Sequence, residues 1–328
     1  MTSTKLTDLD DRRHRLDDSP IARESLIFLV FLPEENLGVI AYTWVNGESK
    51  AGSMMLVFGE ENERLAQFHT EGVPVSREAD FDDWTVGPLS VRHGEAHKTA
   101  HVQYEHEGVS LDYHFEATTP AFTYHDNDDG CPDFLAKNRL EQSGLVRGTL
   151  TIGDRVVPFN TTGHRDHSWG SRDWTAFHHY KWVNIQAGSD ISINLMHGLA
   201  LDQLYQFGYV DRDGVQAPIS SIKASIDRDD ETYSYTSAQF ILTDKLGRTT
   251  EVTAGNRTSL AVWPAGGLES HDAAGPCTVA GLEGIIHIEE GWQPEFVARR
   301  IARAKSFKTE EGKKLLAVNS DVGSLTQR

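Results

Sequence analysis

Alternation between apolar and polar residues is the feature that most restricts how this chain can fold. Between residues 101 and 116, apolar side chains alternate with polar ones on both sides of a Glu107-Gly108 turn. Successive side chains of a strand point to opposite faces, so each half predicts a strand with one buried and one wet face. The glycine-containing turn between the halves predicts a β-hairpin.

The same pattern recurs elsewhere, and helical periodicity is confined to two short segments, Gln293–Phe307 and Asp133–Leu140. These signals predict an antiparallel all-β protein with few short helices. Because one open sheet does not hold so many strands, the 328 residues are expected to form β-barrels or sandwiches. The further predicted hairpins pair Tyr42–Val45 with Ser53–Phe58, Thr149–Ile152 with Val156–Phe159, Gln206–Val210 with Val215–Ile219, and Phe240–Thr243 with Thr249–Val252.

Charge and hydropathy exclude several classes of partner. The chain has 31 basic and 49 acidic residues and a net charge of −18, which disfavours nucleic acid and anionic membranes. Its longest apolar run, Leu26–Leu32, is far shorter than the ~20 residues that span a bilayer. The polar first 18 residues contain no secretory signal, and Cys131 and Cys277 are expected to be free thiols. A cytoplasmic protein is predicted.

Residues 163–174 concentrate the chemistry of the sequence. They contain two each of Asp, Arg, His and Trp, and His178, His179, Tyr180 and Trp182 follow closely. Titratable groups beside large indoles have shifted pKa values, which makes acid–base chemistry possible. We therefore predict the active site here.

Strand geometry divides this segment into two sets of side chains. If the segment is extended, His164, Asp166 and Ser168 share one face, and the opposite face presents Arg165, His167 and Trp169.

Two alternatives to catalysis remain open for these residues. In a purely structural role, Arg172 and Asp173 form buried ion pairs with Asp166 and Arg165. In a metal site, several side chains could supply ligands, although their spacing matches no metal motif. The candidate ligands are His164, Asp166, His167, His178 and His179.

The sequence Gly-His-Arg-Asp-His-Ser-Trp-Gly at Gly163–Gly170 resembles the Gly-Tyr-x-Asp-His-Asn-Trp-Gly signature of the carotenoid 1,2-hydratase (hydroxyneurosporene synthase) and AttH-like family. The stretch from Leu140 to Trp174 is more similar still to an uncharacterised bacterial branch, in which Arg-Asp-His-Ser-Trp-Gly-x-Arg-Asp-Trp recurs. This chain departs from the signature at two positions, where His164 replaces Tyr and Ser168 replaces Asn.

The resemblance implies a fold of two lipocalin-like β-barrel halves, an apolar substrate and no organic cofactor. Relatives hydrate an isolated alkene or use the scaffold for cyclisation or pericyclic chemistry. The signature Asp, here Asp166, is their suspected proton donor. We accordingly expect a polar tail at residues 1–18, a first barrel-like domain at 19–145, and a second at 146–328 that contains the signature.

The sequence thus predicts a cofactor-independent lyase or isomerase of a hydrophobic, terpenoid-like or aromatic molecule, with alkene hydration or dehydration as the leading reaction. An Asp among indoles stays protonated through desolvation, whereas a close Arg165 or Arg172 would favour its carboxylate and a role as base. The predicted catalytic residues are Asp166, His167, His178 and Arg172, and the predicted substrate-binding residues are Trp169, Trp174, Tyr180, Trp182 and His164.

The main alternative is a lipocalin-like carrier that binds an apolar ligand without catalysis. A carrier is expected to have an apolar cavity, with the polar groups of the motif paired to one another. An enzyme is expected to present at least one carboxylate and one imidazole to the cavity. No metal is predicted, and the oligomeric state, a homodimer included, is left open.

Overall fold

A computed structural model describes residues 6–308. Within them the chain forms two antiparallel sheets, each curled into a lipocalin-like barrel. The first sheet holds eleven strands. They are β1 (Ala22–Leu32), β2 (Leu37–Asn46), β3 (Lys50–Phe58), β4 (Arg64–Pro74), β5 (Trp84–Val86), β6 (Leu89–His93), β7 (Thr99–His106), β8 (Val109–Ala117), β9 (Phe122–Thr123), β10 (Asn138–Ile152) and β11 (Arg155–Ser171).

The second sheet holds nine strands and is followed by the helix α1 (Pro294–Phe307). In both sheets the first strand pairs with the last, and in the second sheet the pairing of β17 with β19 closes the ring. The strands are β12 (Phe177–Ala187), β13 (Ile191–Ala200), β14 (Gln203–Arg212), β15 (Val215–Arg228), β16 (Tyr235–Asp244), β17 (Thr249–Ala254), β18 (Ser259–Ala265), β19 (Leu268–Val279) and β20 (Leu282–Trp292).

The predicted hairpins and the all-β class are confirmed, as is the helix after Gln293. The helix predicted at Asp133–Leu140 is wrong. That segment forms turns and then enters β10, where Leu140 pairs with Thr123 and His167 on the two neighbouring strands. Strand pairing on both sides therefore overrides the weak local helical pattern.

The signature lies in the first sheet rather than in the second half of the molecule. β10 and β11 form a hairpin within the first sheet, so the sheets change between Ser171 and Phe177. The boundary expected at residues 145 and 146 falls inside β10. The division of the chain into independently folding domains stays a prediction.

The polar N-terminal segment is part of the fold. Residues 1–5 lie outside the described part, but Asp11 is only 3% exposed and contacts Arg165 of β11. The residues from Asp8 to Asp11 form a short 3-10 turn. A segment expected to be a tail therefore supplies a buried carboxylate to the first barrel.

Three apolar layers stack through the molecule, one inside each barrel and one between the barrels. On β1, Leu26 and Phe28 face the interior of the first barrel, and Ile27 and Leu29 face the second sheet. The second sheet contributes Phe177, Tyr180, Trp182 and Met196 to the layer between the barrels.

Both cysteines, Cys131 and Cys277, are free and buried. Among the described residues, no helix combines the length and apolar character required to cross a bilayer.

Candidate functional site

A cavity of about 530 Å³ opens between the two barrels, at one end of their shared apolar layer. Its volume suits a small organic molecule. Both sheets contribute to its wall. The lining residues are Arg23, Ser25, Ile27, Tyr42, Trp44, Met54, Gln67, His69, Glu71, Arg139, Asp166, Arg172, Trp174, Tyr180, Trp182, Met196, Trp263, Pro264, Ala265, Gly266 and Glu289.

Asp166 is the carboxyl that the signature strand presents to this cavity. It is 6% exposed, and its Oδ2 accepts a hydrogen bond from Arg139 Nη2 at 2.7 Å. Burial raises the pKa of Asp166 to about 7. The positive charge of Arg139 opposes this rise, and the negative charge of Glu141 offsets part of that opposition. Asp166 can therefore give or accept a proton at neutral pH.

The positive charge of Arg139 is shared between two carboxyls. Its Nε donates to Glu141 Oε1 at 2.5 Å, and His164 Nε2 lies 2.7 Å from Glu141 Oε2. The indole of Trp182 also donates to Glu141, at 3.0 Å. Burial favours a higher pKa for Glu141, but Arg139 and His164 hold it below its ordinary value. Glu141 is thus the ionised partner of Arg139, and Asp166 is the carboxyl that titrates.

A second carboxyl, Glu289 of β20, faces the same cavity and accepts a hydrogen bond from the hydroxyl of Tyr180. Burial and the nearby charge of Asp272 raise the pKa of Glu289 to about 8. At neutral pH Glu289 is therefore mainly protonated. The cavity has one carboxyl that holds a proton and another that is poised to exchange one.

The wall formed by β1 and β2 is cationic. Arg172 Nη2 donates to Ser168 Oγ at 2.7 Å and to Ser25 Oγ at 3.1 Å, and Arg23 lies over the Trp44 ring at 4.3 Å. Burial favours a higher pKa for Tyr42, but Arg23 and Arg172 outweigh it and hold the pKa below 10.

The opposite face of β11 points into the first barrel, and its polar groups are paired there. Arg165 donates to Asp11 at 2.9 and 3.2 Å and to the side-chain oxygen of Gln142 at 2.8 and 3.0 Å. His167 Nε2 lies 2.8 Å from Glu24 Oε1. The predicted division of the strand into two faces is confirmed.

The structure brings five of the predicted site residues to the cavity: Asp166, Arg172, Trp174, Tyr180 and Trp182. The other four lie elsewhere. His167 and Trp169 point into the first barrel, where Trp169 stacks on His14 with ring centroids 3.7 Å apart. His164 is buried beneath Trp182 and held by Glu141 and Ser143.

His178 is exposed at the surface, where its Nε2 lies 3.2 Å from Asp202. Its position on β12, two residues before Tyr180, does not bring it to the cavity. The ion pairs expected of Arg172 and Asp173 are also wrong. Asp166 pairs with Arg139, Arg165 pairs with Asp11, and Asp173 accepts hydrogen bonds from Thr175.

Most of the other lining residues were not predicted from the sequence, and among them are Arg23, Tyr42, Arg139 and Glu289. Arg139 directly precedes the Leu140–Trp174 stretch that resembles the bacterial branch, so a wider window would have included it. Glu289 directly follows Ile285–Ile288, a stretch of a strand with three isoleucines and one histidine, and a carboxyl beside so apolar a stretch is a usable signal for a buried polar group.

Two clusters in the described range place three ligand atoms within 4.8 Å of one another. One joins His14, Glu24 and His167, and the other is His101, Asp112 and His114. Neither lines the cavity. Of the five candidate metal ligands, only His167 belongs to a cluster. His164 and Asp166 lie on the opposite face of β11, and His178 and His179 lie on β12.

Comparisons with known proteins concern family and fold. The profile of a domain of unknown function, DUF7064, matches residues 7–294. No curated protein sequence matches the chain.

Three solved structures share the architecture at low sequence identity. CghA crystallised with Sch210972 has a TM-score of 0.58 and 12% identity, over 83% of this chain and 89% of that one. A second CghA structure has a TM-score of 0.56 and 12% identity, over 83% and 88%. A Nitrosomonas europaea protein described as a candidate AttH has a TM-score of 0.55 and 11% identity, over 82% and 92%. At these identities the likeness is one of fold.

Proposed function

We propose, for a chain that belongs to the DUF7064 family of unknown function, that the cavity between its barrels is the active site of a cofactor-independent lyase or isomerase. The substrate is a small molecule with an apolar body. Hydration or dehydration of an alkene is the leading reaction. The observation on which this rests is the pair of carboxyls, Asp166 and Glu289, whose pKa values of about 7 and about 8 lie near neutrality in one aromatic-lined cavity.

The two carboxyls suit complementary roles in proton transfer. In hydration, the acid form of Glu289 gives its proton to one alkene carbon, and the electron pair of the double bond forms the new C–H bond. Water then bonds to the cationic carbon and loses a proton to the carboxylate of Asp166. In dehydration the same steps run in reverse. An allylic isomerisation uses Asp166 to remove one proton and Glu289 to add another.

The aromatic wall suits a cationic intermediate. Trp44, Trp174, Trp182 and Trp263 all line the cavity. Their ring faces attract positive charge, and the apolar surroundings keep bulk water from competing with the added water molecule. Arg139 opposes this by placing a cation next to Asp166, and its pairing with Glu141 limits the effect.

Two further observations support the proposal. The cavity presents an imidazole, His69, together with its carboxyls, as expected of an enzyme rather than a carrier. The Gly163–Gly170 signature resembles that of the carotenoid 1,2-hydratase and AttH-like family, and a protein of the same fold, CghA, was solved with Sch210972. The alternative remains a carrier that uses the same cavity for an apolar ligand.

Solvent deuterium incorporation tests the proposal whichever way the reaction runs. The protein is incubated in deuterium oxide with a panel of terpenoid and aryl alkenes and the matching alcohols, and incorporation is measured by mass spectrometry. Asp166→Asn and Glu289→Gln are each expected to lower incorporation by about 10²- to 10⁴-fold. Glu283→Gln, an exposed change on the same strand as Glu289, is the matched control.

A carrier gives a different result. Ligands then bind, as seen by quenching of tryptophan fluorescence, but no deuterium enters any of them. Titration of both carboxyls below pH ~5, the range of ordinary Asp and Glu side chains, would also overturn the proposal.

A further inference from the structure

The cationic wall of the cavity contains two arginines that are not neutralised by protein carboxylates. Across residues 6–308, neither Arg23 nor Arg172 has an acidic side chain within ion-pairing distance. The other buried arginines nearby differ. Arg139 pairs with Asp166 and Glu141, and Arg165 pairs with Asp11.

The contacts of Arg172 orient it without neutralising it. Its side chain is 8% exposed, and its recorded hydrogen bonds run from Nη2 to the hydroxyls of Ser25 and Ser168 and the Ser168 carbonyl. Serine hydroxyls fix the plane of the guanidinium, which leaves Nε and Nη1 for a further partner. Arg172 acts on Asp166 only from beyond ion-pairing distance, where it lowers the pKa of that carboxyl. A buried cation whose hydrogen bonds all go to neutral groups is costly unless an anion joins it.

Arg23 has the same deficit. Its guanidinium lies 4.3 Å from the centre of the Trp44 ring and 5.3 Å from that of Tyr42, and its Nε is buried without a hydrogen-bond partner. The carboxylate that acts on its pKa is that of Glu71, an exposed residue that also lines the cavity.

The phenol of Tyr42 reports the resulting field. Despite its burial, Arg23 and Arg172 hold its pKa below the ordinary value of 10. A positive potential that lowers the pKa of the Tyr42 phenol also favours any other small anion at the same point. The two guanidiniums also repel each other, since Arg172 lowers the pKa of Arg23, so an anion between them relieves a cost already present in the fold.

We propose that the ligand of this cavity is an apolar molecule with a carboxylate, and that Arg23 and Arg172 bind the carboxylate while the tryptophans enclose the apolar body. Guanidinium groups match the two oxygens of a carboxylate in plane. Apart from strands, the lining comes from Arg172, from Trp174 of a three-residue 3-10 turn and from Gly266. The α-helix of the described residues, Pro294–Phe307, does not line the cavity, so no α-helix N-terminus adds the backbone donors typical of phosphate sites. The assignment deepens the proposed function, because it fixes which end of the substrate lies against Arg23 and Arg172.

Calorimetry near neutral pH with three probes that share a naphthyl body tests whether binding requires a carboxylate. The probes are naphthoate, its neutral amide naphthamide, and naphthyl phosphate. Naphthoate is expected to bind at least about 10-fold more tightly than naphthamide, the lower limit for a charged hydrogen bond. Equal binding of the two, or no binding of naphthoate at millimolar concentration, overturns the proposal. A preference for naphthyl phosphate overturns the carboxylate assignment.

Variants locate the charge requirement. Arg172→Gln and Arg23→Gln are each expected to lower naphthoate affinity by about 10- to 100-fold, with naphthamide affinity unchanged. Arg172→Lys keeps the charge but not the planar pair of donors, so an intermediate loss is expected. Arg77→Gln, an exposed arginine outside the cavity, is the matched control. Discrimination that survives both Gln variants overturns the proposal. Because Arg23 is only half-buried, its variant remains informative if Arg172→Gln fails to fold.

This test is independent of turnover. Naphthoate has no alkene to hydrate, and its binding is expected to persist in the Asp166→Asn and Glu289→Gln proteins. Charge-dependent binding together with a failed deuterium experiment would reject the enzyme and keep the anion site. Deuterium incorporation without a preference for naphthoate over naphthamide would keep the enzyme and reject the anion site.

Discussion

The two faces of β11 carry the same residue types but place them in different electrostatic surroundings. Inside the first barrel, Arg165 meets Asp11, and His167 meets Glu24, so each charge or imidazole has a partner. On the face between the barrels, Asp166 shares one arginine with Glu141. One face has every charge paired, and the other is left with a carboxyl, Asp166, whose pKa is about 7.

The pKa values express this difference. Burial alone would raise the pKa of Asp11, yet Arg165 and His93 hold it far below its ordinary value. Burial raises the pKa of Asp166 to about 7, although Arg139 is hydrogen-bonded to it. Complete pairing therefore keeps Asp11 ionised, whereas Asp166, which shares Arg139 with the ionised Glu141, holds its proton to a higher pH. This difference supports the proposal that the cavity-side cluster is the functional one and that the barrel-side cluster holds the fold together.

The largest expected effect comes from breaking the structural face. Arg165→Gln leaves Asp11 buried without its cation, and the free energy of unfolding is expected to fall by about 3–5 kcal/mol. Urea denaturation measures it. Arg155→Gln is the control, because Arg155 and Glu35 form an exposed pair at 2.8 Å that is worth about 0–1 kcal/mol. A cost for Arg165→Gln no larger than that of the control would contradict the structural role.

Asp166→Asn, unlike the destabilising Arg165→Gln, is expected to gain stability relative to the wild type as the pH rises. The folded-state pKa of Asp166, about 7, exceeds its ordinary 3.8, so protonated Asp166 stabilises the fold. This stabilisation is complete below pH ~3.8 and is lost as the pH rises to about 7. Asn has no proton to lose. Relative to the variant, the wild type is therefore expected to lose up to about 1.4 kcal/mol per pH unit across that window.

Urea titrations at several pH values between about 4 and 8 test this sign. Asp173→Asn, a change in the same motif outside the cavity wall, is the matched control. A variant that is less stable than the wild type by a constant amount at every pH would make Asp166 a structural partner of Arg139.

The sequence predicted the two faces of β11 but not which one meets the site. Alternation is a local property, and it separated Asp166 from Arg165 and His167 without reference to the rest of the fold. The choice of face depends on how the sheet curls and on what covers it, and both are set by long-range pairing of β1 with β11 and β12 with β20. For this reason the predicted site included His167 and Trp169, which point into the first barrel instead.

The residues that complete the site are distant in the sequence for the same reason. Arg23 and Tyr42 belong to the hairpin of β1 and β2, whereas Glu289 belongs to β20 of the second sheet, so they meet only when the two sheets pack together. The local sequence pattern around Glu289 does not indicate that Tyr180 and Asp166 are its neighbours in the fold. The hairpins, by contrast, depend on nearby turns, and all of those predicted are present.

The smallest expected effect concerns the proton on Glu289. The hydroxyl of Tyr180 donates to Glu289 and lowers its pKa, which burial and Asp272 raise to about 8. Tyr180→Phe removes this donor, so the pKa of Glu289 is expected to rise by on the order of one unit. Carboxyl-carbon NMR of protein labelled at glutamate measures the shift. Tyr205→Phe is the control, because the hydroxyl of Tyr205 donates to Gln203 instead.

If Glu289 is the acid of the cavity, the alkaline limit of deuterium incorporation moves upward with its pKa. A shifted pKa with an unmoved limit would assign the proton donor to Asp166 alone.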